Sequence, residues 1–117
     1  MDCPFCEIDT KRNIIIEKKK YVYVCFSNPR LVPGHLLVIP YRHVERPSEL
    51  TPQEREEWLN TSIEYQDKIL KNVASGCDLK QNCRPFMKQS NLKVNHIHMH
   101  LVPRELHDDL YQKSQKY

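Results

Sequence analysis

The apolar residues in the first forty positions come in short runs that favour β-strands. Residues 13–17 and 21–27 are rich in β-branched and aromatic side chains, and a run of three lysines separates them. This arrangement predicts a β-hairpin with a solvated turn. Residues 35–40 are almost entirely apolar and are bounded by proline and glycine, which predicts a buried third strand.

One strong helix is predicted in the middle of the chain. Thr51 as N-cap, Pro52 at the first helical position and Glu54 three residues after Thr51 form a capping-box signature. Gly76 offers a stop at the C-terminal end. The apolar stripe of this amphipathic helix is predicted to consist of Leu59, Ile63, Leu70 and Val73, with Trp58 and Ile69 beside them.

The remaining pattern completes an α+β domain. Residues 84–89 and 95–102 predict two more strands, and residues 105–117 predict a weak terminal helix. Five strands and one long helix indicate a mostly antiparallel sheet with a helix packed on it. Because 117 residues lie in the usual one-domain range, a single domain over residues 1–117 is expected.

Composition and charge narrow the classes of partner. A formal charge of +3 is compatible with a small ligand that bears phosphate. It falls short of the clustered basic face that is typical of a nucleic-acid-binding protein. No apolar signal segment opens the chain, and no window holds 18 consecutive apolar residues. We therefore expect a cytoplasmic protein that engages neither nucleic acid nor membrane.

Three of the six histidines lie in one short segment, "HIHMH", as His96, His98 and His100. In a strand, successive side chains point to opposite faces, so the three imidazoles would line one face while Ile97 and Met99 pack on the other. A solvated strand that happens to be rich in histidine is the alternative. Three imidazoles in register favour a functional site.

Two of the five cysteines, Cys3 and Cys6, have the spacing at which two thiolates share one tetrahedral zinc. The same spacing serves thiol redox chemistry, but a redox dithiol usually follows a first strand, and no strand precedes this pair. A zinc site would need two more ligands, for which His43 and one triad histidine are candidates. The other cysteines are interpreted as ordinary thiols, with a pair of Cys77 and Cys83 left open.

The segment "HIHMHLV" matches the histidine-triad signature, so the chain resembles the histidine-triad (HIT) family. The likeness extends over residues 1–104 through "CPFCEI", "VPGHLLVIPYRHVERPSELTPQE" and "HLVPR". It implies a HIT-like fold, usually a homodimer, that binds a purine nucleotide or nucleotide conjugate and cleaves a bond to its α-phosphate.

The resemblance also implies roles for individual residues. His98, the middle histidine, would be the nucleophile that is transiently nucleotidylated, while His100 and His35 would contact the phosphates. In zinc-bearing members the metal is held by the residues that match Cys3, Cys6, His43 and His96. Four protein ligands leave no open position for water, so such a zinc would be structural.

Substrate-binding residues follow from the same likeness. Phe5, Ile8 and Cys25 match positions that line the purine pocket. Ser27, followed by Asn28, falls where many members place an aspartate on the ribose hydroxyls.

The segment before the triad departs from the family pattern. Family members commonly carry a glycine-rich segment there, whose amides wrap the α-phosphate, whereas "KQSNLKVNHIH" contains no glycine. The side chains of Asn91 and Lys93 are therefore expected to contact phosphate instead.

Three functions remain open at this point. The leading one is a nucleotide hydrolase or nucleotidyltransferase that works through His98, with water, phosphate or another acceptor. The second is a nucleotide-binding or partner-binding module with negligible turnover. The third is a metalloenzyme with an open metal on all three triad histidines.

Overall fold

The computed structural model describes residues 5–6, 13–28, 30–83 and 96–108. Five strands form one antiparallel sheet in the order β1-β2-β3-β5-β4, and one long helix follows β3. The predicted α+β class is confirmed. The elements are β1 (Ile15–Lys18), β2 (Val22–Phe26), β3 (Leu36–Pro40), a 3-10 turn (Pro47–Glu49), α1 (Pro52–Asn72), β4 (Gly76–Lys80) and β5 (Met99–Arg104).

The two faces of the sheet have different coverings. On one face, alternate residues of β2 and β3 such as Val24 and Val38 pack against α1 in the larger apolar cluster. Trp58 of α1 ties the two layers together, because its indole N–H donates to the Val38 carbonyl at 2.9 Å. The other face carries a smaller cluster, against which Phe5 and Ile15 pack.

The start of α1 is confirmed, and of its predicted apolar stripe Trp58 and Ile69 are buried while the other four residues are not. Thr51 Oγ1 accepts from the Glu54 amide at 3.2 Å, and Glu54 Oε1 accepts from the Thr51 amide at 2.8 Å. The four residues of the stripe that are not buried, Leu59, Ile63, Leu70 and Val73, are 43–56% exposed. The side chains that α1 buries are Glu54, Trp58, Thr61, Ser62, Tyr65 and Ile69.

The second half of the sheet differs from the prediction in two places. Gly76 does not stop α1, which ends at Asn72, but begins β4, the strand that contains Cys77. The first triad residues lie before β5, because the amide of Ile97 donates to the Val44 carbonyl at 3.0 Å instead of joining the sheet. The predicted alignment of all three histidines along one strand is therefore wrong, since His100 alone lies within β5.

Two predictions of secondary structure concern the end of the chain. The predicted strand at residues 84–89 lies outside the described residues. Residues 105–108 form a turn instead of the start of the predicted terminal helix, and residues 109–117 are outside the described part. Over the described ranges, no helix has the length and apolar character needed to cross a membrane.

Candidate functional site

The last two triad histidines meet where β5 begins, on the sheet face opposite α1. His100 lies across from Leu37 of β3 and Lys80 of β4 in the strand register. The rings of His98 and His100 are in edge contact, with centroids 4.7 Å apart. Phe5 closes the other side of His98 at a centroid distance of 4.9 Å. The imidazoles are thus gathered although they do not share one strand.

A backbone carbonyl fixes the orientation of His98. Its Nδ1 lies 2.9 Å from the carbonyl oxygen of His96. A carbonyl only accepts, so Nδ1 carries the proton and donates, and Nε2 keeps its lone pair. Burial lowers the pKa of His98, although the hydrogen bond to His96 acts in the opposite direction. The site therefore holds a neutral imidazole whose Nε2 is suited to nucleophilic attack.

A chain of hydrogen bonds gives His100 the tautomer opposite to that of His98. The Leu31 amide donates to His35 Nδ1 at 3.2 Å, so the proton of neutral His35 is on Nε2. That N–H donates to His100 Nδ1 at 2.9 Å, which places the His100 proton on its own Nε2. His100 can therefore offer an N–H to an anionic oxygen.

The same two histidines are held neutral by their surroundings. Burial, together with a smaller electrostatic effect of His98, lowers the pKa of His35 to about 4. Burial is also the main cause that lowers the pKa of His100 to about 3, with smaller electrostatic effects of His98, His35 and Lys80. The hydrogen-bonded chain from Leu31 to His100 is therefore uncharged at neutral pH.

A candidate metal centre lies at the N-terminal side of the triad. Cys6 Sγ is 3.2 Å from His43 Nδ1 and 3.5 Å from His96 Nδ1, and the three atoms lie within 4.8 Å of one another. His96 Nε2 donates to the Pro40 carbonyl at 2.6 Å, so its Nδ1 lone pair faces the thiol. One sulfur and two imidazole nitrogens fit the donor set of zinc. Cys3, the fourth predicted ligand, lies outside the described residues.

Two predicted purine-pocket residues lie on the same sheet face. Cys25 is buried among Tyr23, Leu37 and Ile39, and Phe5 packs against this cluster. The Tyr23 hydroxyl donates to the Phe5 carbonyl at 2.8 Å, which holds the N-terminal segment on the sheet. Burial raises the pKa of the Cys25 thiol to about 12, so it presents an uncharged apolar surface. Ile8, the third predicted pocket residue, lies outside the described residues.

Ser27 and Asn28, the two residues predicted to contact the ribose, line a small cavity near the end of β2. Ser27 is buried and Asn28 is exposed, and the Ser27 amide donates to the His35 carbonyl at 2.9 Å. The cavity has a volume of about 130 Å³, and its other lining residues are Ile14, Phe26 and Arg30. Asn91 and Lys93, the predicted phosphate contacts, lie outside the described residues.

Sequence reasoning missed two cations at this site. Arg30 lies over the Phe26 ring at 4.7 Å from its centroid, and both residues line the cavity. Lys80 is paired with His100 across β4 and β5. The alternation in "GCDLK" was a weak signal for β4, and without that strand nothing placed Lys80 beside a histidine.

Comparison with protein-family models finds a match to the HIT domain over residues 7–107. A Mycobacterium tuberculosis protein named AP-4-A phosphorylase is 29% identical over 104 residues, which cover 86% of this chain and 53% of that protein. A Schizosaccharomyces pombe protein named bis(5'-nucleosyl)-tetraphosphatase [asymmetrical] is 33% identical over 78 residues, covering 67% of this chain and 42% of that one. The chain thus spans about half the length of these relatives or less.

Solved structures with the same fold include a zinc-bound one. The zinc-bound histidine triad family protein from Mycobacterium smegmatis superposes with a TM-score of 0.77 at 25% sequence identity. The match covers 92% of this chain and 78% of that chain. The arrangement of sheet and helix is therefore shared with a relative that holds zinc.

Proposed function

The chain belongs to the HIT domain family, and we propose that it is a nucleotide hydrolase or nucleotidyltransferase that cleaves a bond to the α-phosphate of a purine nucleotide conjugate. The observation that carries this proposal is the pairing of His98, with a free Nε2 lone pair, and His100, with an Nε2 proton. Relatives named as a dinucleoside polyphosphate phosphorylase and a tetraphosphatase support it.

The proposed reaction has two displacement steps. In the first, His98 Nε2 attacks the α-phosphorus, and the leaving group departs with the electron pair of the broken bond. In the second, water or another acceptor attacks the nucleotidyl group and releases the imidazole. His100 donates a hydrogen bond to a non-bridging oxygen in both steps, and His35 keeps His100 in the tautomer that can do so.

We assign the substrate-contacting residues as part of the same proposal. Phe5, Ile8 and Cys25 would contact the purine base, and the packing of Phe5 beside Cys25 supports this. Ser27 and Asn28 would contact the ribose, which is supported by the cavity that they line beside His35. Asn91 and Lys93 would contact phosphate.

We propose that Cys3, Cys6, His43 and His96 hold one structural zinc. The support is the approach of Cys6 Sγ to two imidazole nitrogens and the hydrogen bond that turns the His96 lone pair toward it. Zinc with four protein ligands contributes folding free energy and leaves no position for a reacting water. The metal would therefore fix the N-terminal segment near the sheet and take no part in the chemistry.

We also propose a homodimer built on the exposed face of α1, in a cytoplasmic protein. The four apolar side chains of the exposed stripe, Leu59, Ile63, Leu70 and Val73, recur at helical spacing. Large apolar side chains exposed along one side of a helix are typical of an interface. A second copy of the same stripe is complementary to it around a two-fold axis.

The test of the enzymatic proposal is a covalent adduct on His98. Adenosine and guanosine phosphoramidates and dinucleoside polyphosphates are mixed with the protein and quenched in base, in which phosphoramidates survive. Peptide mass spectrometry should then find one nucleoside monophosphate on His98. His98→Gly should lose both the adduct and turnover while keeping nucleotide binding.

The matched control is His107→Gly. His107 is exposed after β5 and has a φ of 65°, which glycine adopts without strain, so this variant should form the adduct normally. Label on another residue, or full turnover by His98→Gly, would overturn the mechanism. Tight nucleotide binding without adduct or turnover of any of these compounds would favour the alternative, a nucleotide-binding or partner-binding module.

A further inference from the structure

Lys80 is placed to act on the same ligand as the site histidines. In the antiparallel pairing of β4 with β5, Lys80 lies directly opposite His100. Side chains of such paired residues point to the same face of a sheet, with Cβ atoms about 5 Å apart. Lys80 is exposed on that face, and its charge is one of the influences, after burial, that lower the pKa of His100.

The order of strands decides which part of a nucleotide Lys80 could reach. The cluster around Cys25 belongs to β2 and β3, and the cavity lined by Ser27 and Asn28 lies near the end of β2, so both lie on the β3 side of His100 in the strand order. Lys80 lies on the other side, on the edge strand β4. Neighbouring strands are about 4.8 Å apart. With the nucleoside over β2 and β3 and the α-phosphate at β5, the group beyond the α-phosphate meets β4.

Local charges leave Lys80 available for such a ligand. The nearest acidic residue on its strand face, Asp78, accepts from Arg104 Nη1 at 2.6 Å. Arg104 in turn donates to Asp108 Oδ2 at 2.9 Å. Within the described ranges, no carboxylate forms an ion pair with Lys80, although ion pairs hold other surface lysines such as Lys19 and Lys68.

We propose that Lys80 is a specificity-determining residue whose ammonium group binds the phosphates of the leaving group, so that the site favours anionic polyphosphate leaving groups over neutral ones. This inference rests on the proposed function. In the first displacement step, a bond forms between His98 Nε2 and the α-phosphorus, and the bond between the α-phosphorus and the bridging oxygen breaks.

The charge on the leaving group explains why a lysine would discriminate between polyphosphate and amine leaving groups. The bridging oxygen leaves with the electron pair as part of an anionic nucleoside polyphosphate, and it needs no proton at neutral pH. Lys80 would stabilise that negative charge directly. An amine that leaves a phosphoramidate instead takes up a proton and is uncharged or cationic, so Lys80 gives it no advantage.

The experiment compares Lys80→Gln, Lys80→Arg and the control Lys71→Gln, whose lysine is exposed at the end of α1. The kcat/KM is measured for diadenosine tetraphosphate and for adenosine 5'-phosphoramidate. Lys80→Gln should lose about tenfold on the tetraphosphate, the size of one solvent-screened charge contact, and less than twofold on the phosphoramidate. Lys80→Arg should recover most of the loss, and Lys71→Gln should match the wild type.

Ionic strength and equilibrium binding complete the test. The gap between wild type and Lys80→Gln on the tetraphosphate should shrink at high salt, because screening weakens exposed charge pairs. Affinities for adenosine 5'-tetraphosphate and AMP are measured in the His98→Gly background with and without Lys80→Gln. The lysine variant should weaken binding of the tetraphosphate alone.

The outcomes separate this inference from the proposed function. If the wild type turns over neither substrate but Lys80→Gln still weakens tetraphosphate binding relative to AMP, the enzymatic proposal fails and the role of Lys80 stands. Equal losses on both substrates, or no selective change in either rate or affinity, would overturn the assignment of Lys80.

Discussion

Backbone groups set the chemistry of each site histidine. The carbonyl of Pro40 receives the Nε2 proton of His96, and the carbonyl of His96 receives the Nδ1 proton of His98. The amide of Leu31 fixes His35, and through it His100. The partners of His96, His98 and His35 belong to the main chain, whereas the tautomer of His100 depends on the His35 side chain. His96 thereby turns its Nδ1 toward Cys6, whereas His98 keeps the lone pair of its Nε2.

The pH dependence of stability should report the buried His35 and His100. Their pKa values in the folded protein, about 4 and about 3, lie below the ordinary value of 6.5. Below pH 6.5 the unfolded chain binds protons that the folded chain does not, so the free energy of unfolding should fall as the pH drops toward 4. For each histidine the slope is about 0.7 kcal/mol per pH unit at pH 6.5 and approaches about 1.4 kcal/mol per pH unit near pH 5, where the unfolded chain is fully protonated. Urea unfolding at pH 7, 6 and 5 measures it.

A substitution separates this effect from other acid-sensitive groups. His100→Gln should reduce the average slope of stability against pH between 6.5 and 5 by about 1 kcal/mol per pH unit. Leu106→Gln changes an exposed residue that does not titrate and should keep the wild-type slope. Parallel curves for wild type and His100→Gln would contradict the assignment.

The sequence specified which histidines to examine but not how they are connected. The spacing of "HIHMH" marked His96, His98 and His100, and two of their rings do lie in edge contact. The tautomers depend on carbonyls such as that of Pro40, which is 56 positions away in the chain. Lys80 could not be anticipated either, because its role follows from strand register and not from its neighbours in sequence.

Among the secondary-structure elements, the start of α1 was predicted correctly from local sequence signals, whereas the face of α1 that packs on the sheet was not. The capping box spans three residues, so the sequence contains all of it. Which face of α1 is buried depends on the sheet that the helix packs against. Trp58 donates a hydrogen bond to the Val38 carbonyl of that sheet, and the small buried side chains of Thr61 and Ser62 allow a close approach. Hydrophobicity alone predicted burial of the adjacent face of α1, which carries Leu59, Ile63 and Leu70.

The buried Glu54 should be the most sensitive acidic residue of α1. Arg42 donates two hydrogen bonds to it, at 2.8 and 3.2 Å, and Glu54 also accepts from the N-cap amide. The hydrogen bonds from Arg42 are the main cause that lowers the pKa of Glu54 to about 2. Glu54→Ala should therefore cost about 1–2 kcal/mol in the free energy of unfolding, by losing the cap and leaving an amide unpaired.

The matched control for this prediction lies two residues further along the helix. Glu56 is exposed, so Glu56→Ala should change the free energy of unfolding by less than about 0.5 kcal/mol. Chemical denaturation at pH 7 compares the two variants. Equal effects of both substitutions would show that the capping interactions add nothing beyond helix propensity.

For the molecule as a whole, the proposed zinc is expected to raise the melting temperature. Cys6 belongs to the N-terminal segment, and His43 and His96 lie beyond β3 and before β5, so a shared metal would join three distant parts of the chain. A strong chelator should therefore lower the melting temperature, and Cys6→Ser should lower it similarly and abolish the response to chelator. Metal analysis should give one zinc per chain.

The control for the zinc prediction is Cys83→Ser, which removes an exposed thiol that follows β4. It should melt like the wild type and keep its metal. An unchanged melting temperature in chelator, together with no bound metal in the wild type, would rule out the proposed zinc.

The fold class was predictable at the scale of the whole molecule because it depends on many weak signals. The runs that predicted β1, β2 and β3 agree with the observed strands to within two residues. Antiparallel pairing of sequential strands then follows from short connections. The missed strand β4 is half-buried at the sheet edge and carries Gly76, Asp78 and Lys80, which are poor strand formers, so composition concealed it.

The exposed stripe on α1 leads to the last prediction, which concerns the oligomeric state. If Leu59, Ile63, Leu70 and Val73 of two chains pack together, burying a charge there should dissociate the dimer. Sedimentation at micromolar concentration should give twice the chain mass of 14.0 kDa for the wild type and the single mass for Ile63→Glu. Leu106→Glu alters a more exposed leucine outside α1 and should remain dimeric. A wild type that sediments as one sharp species at 14.0 kDa would show that the stripe does not join two copies.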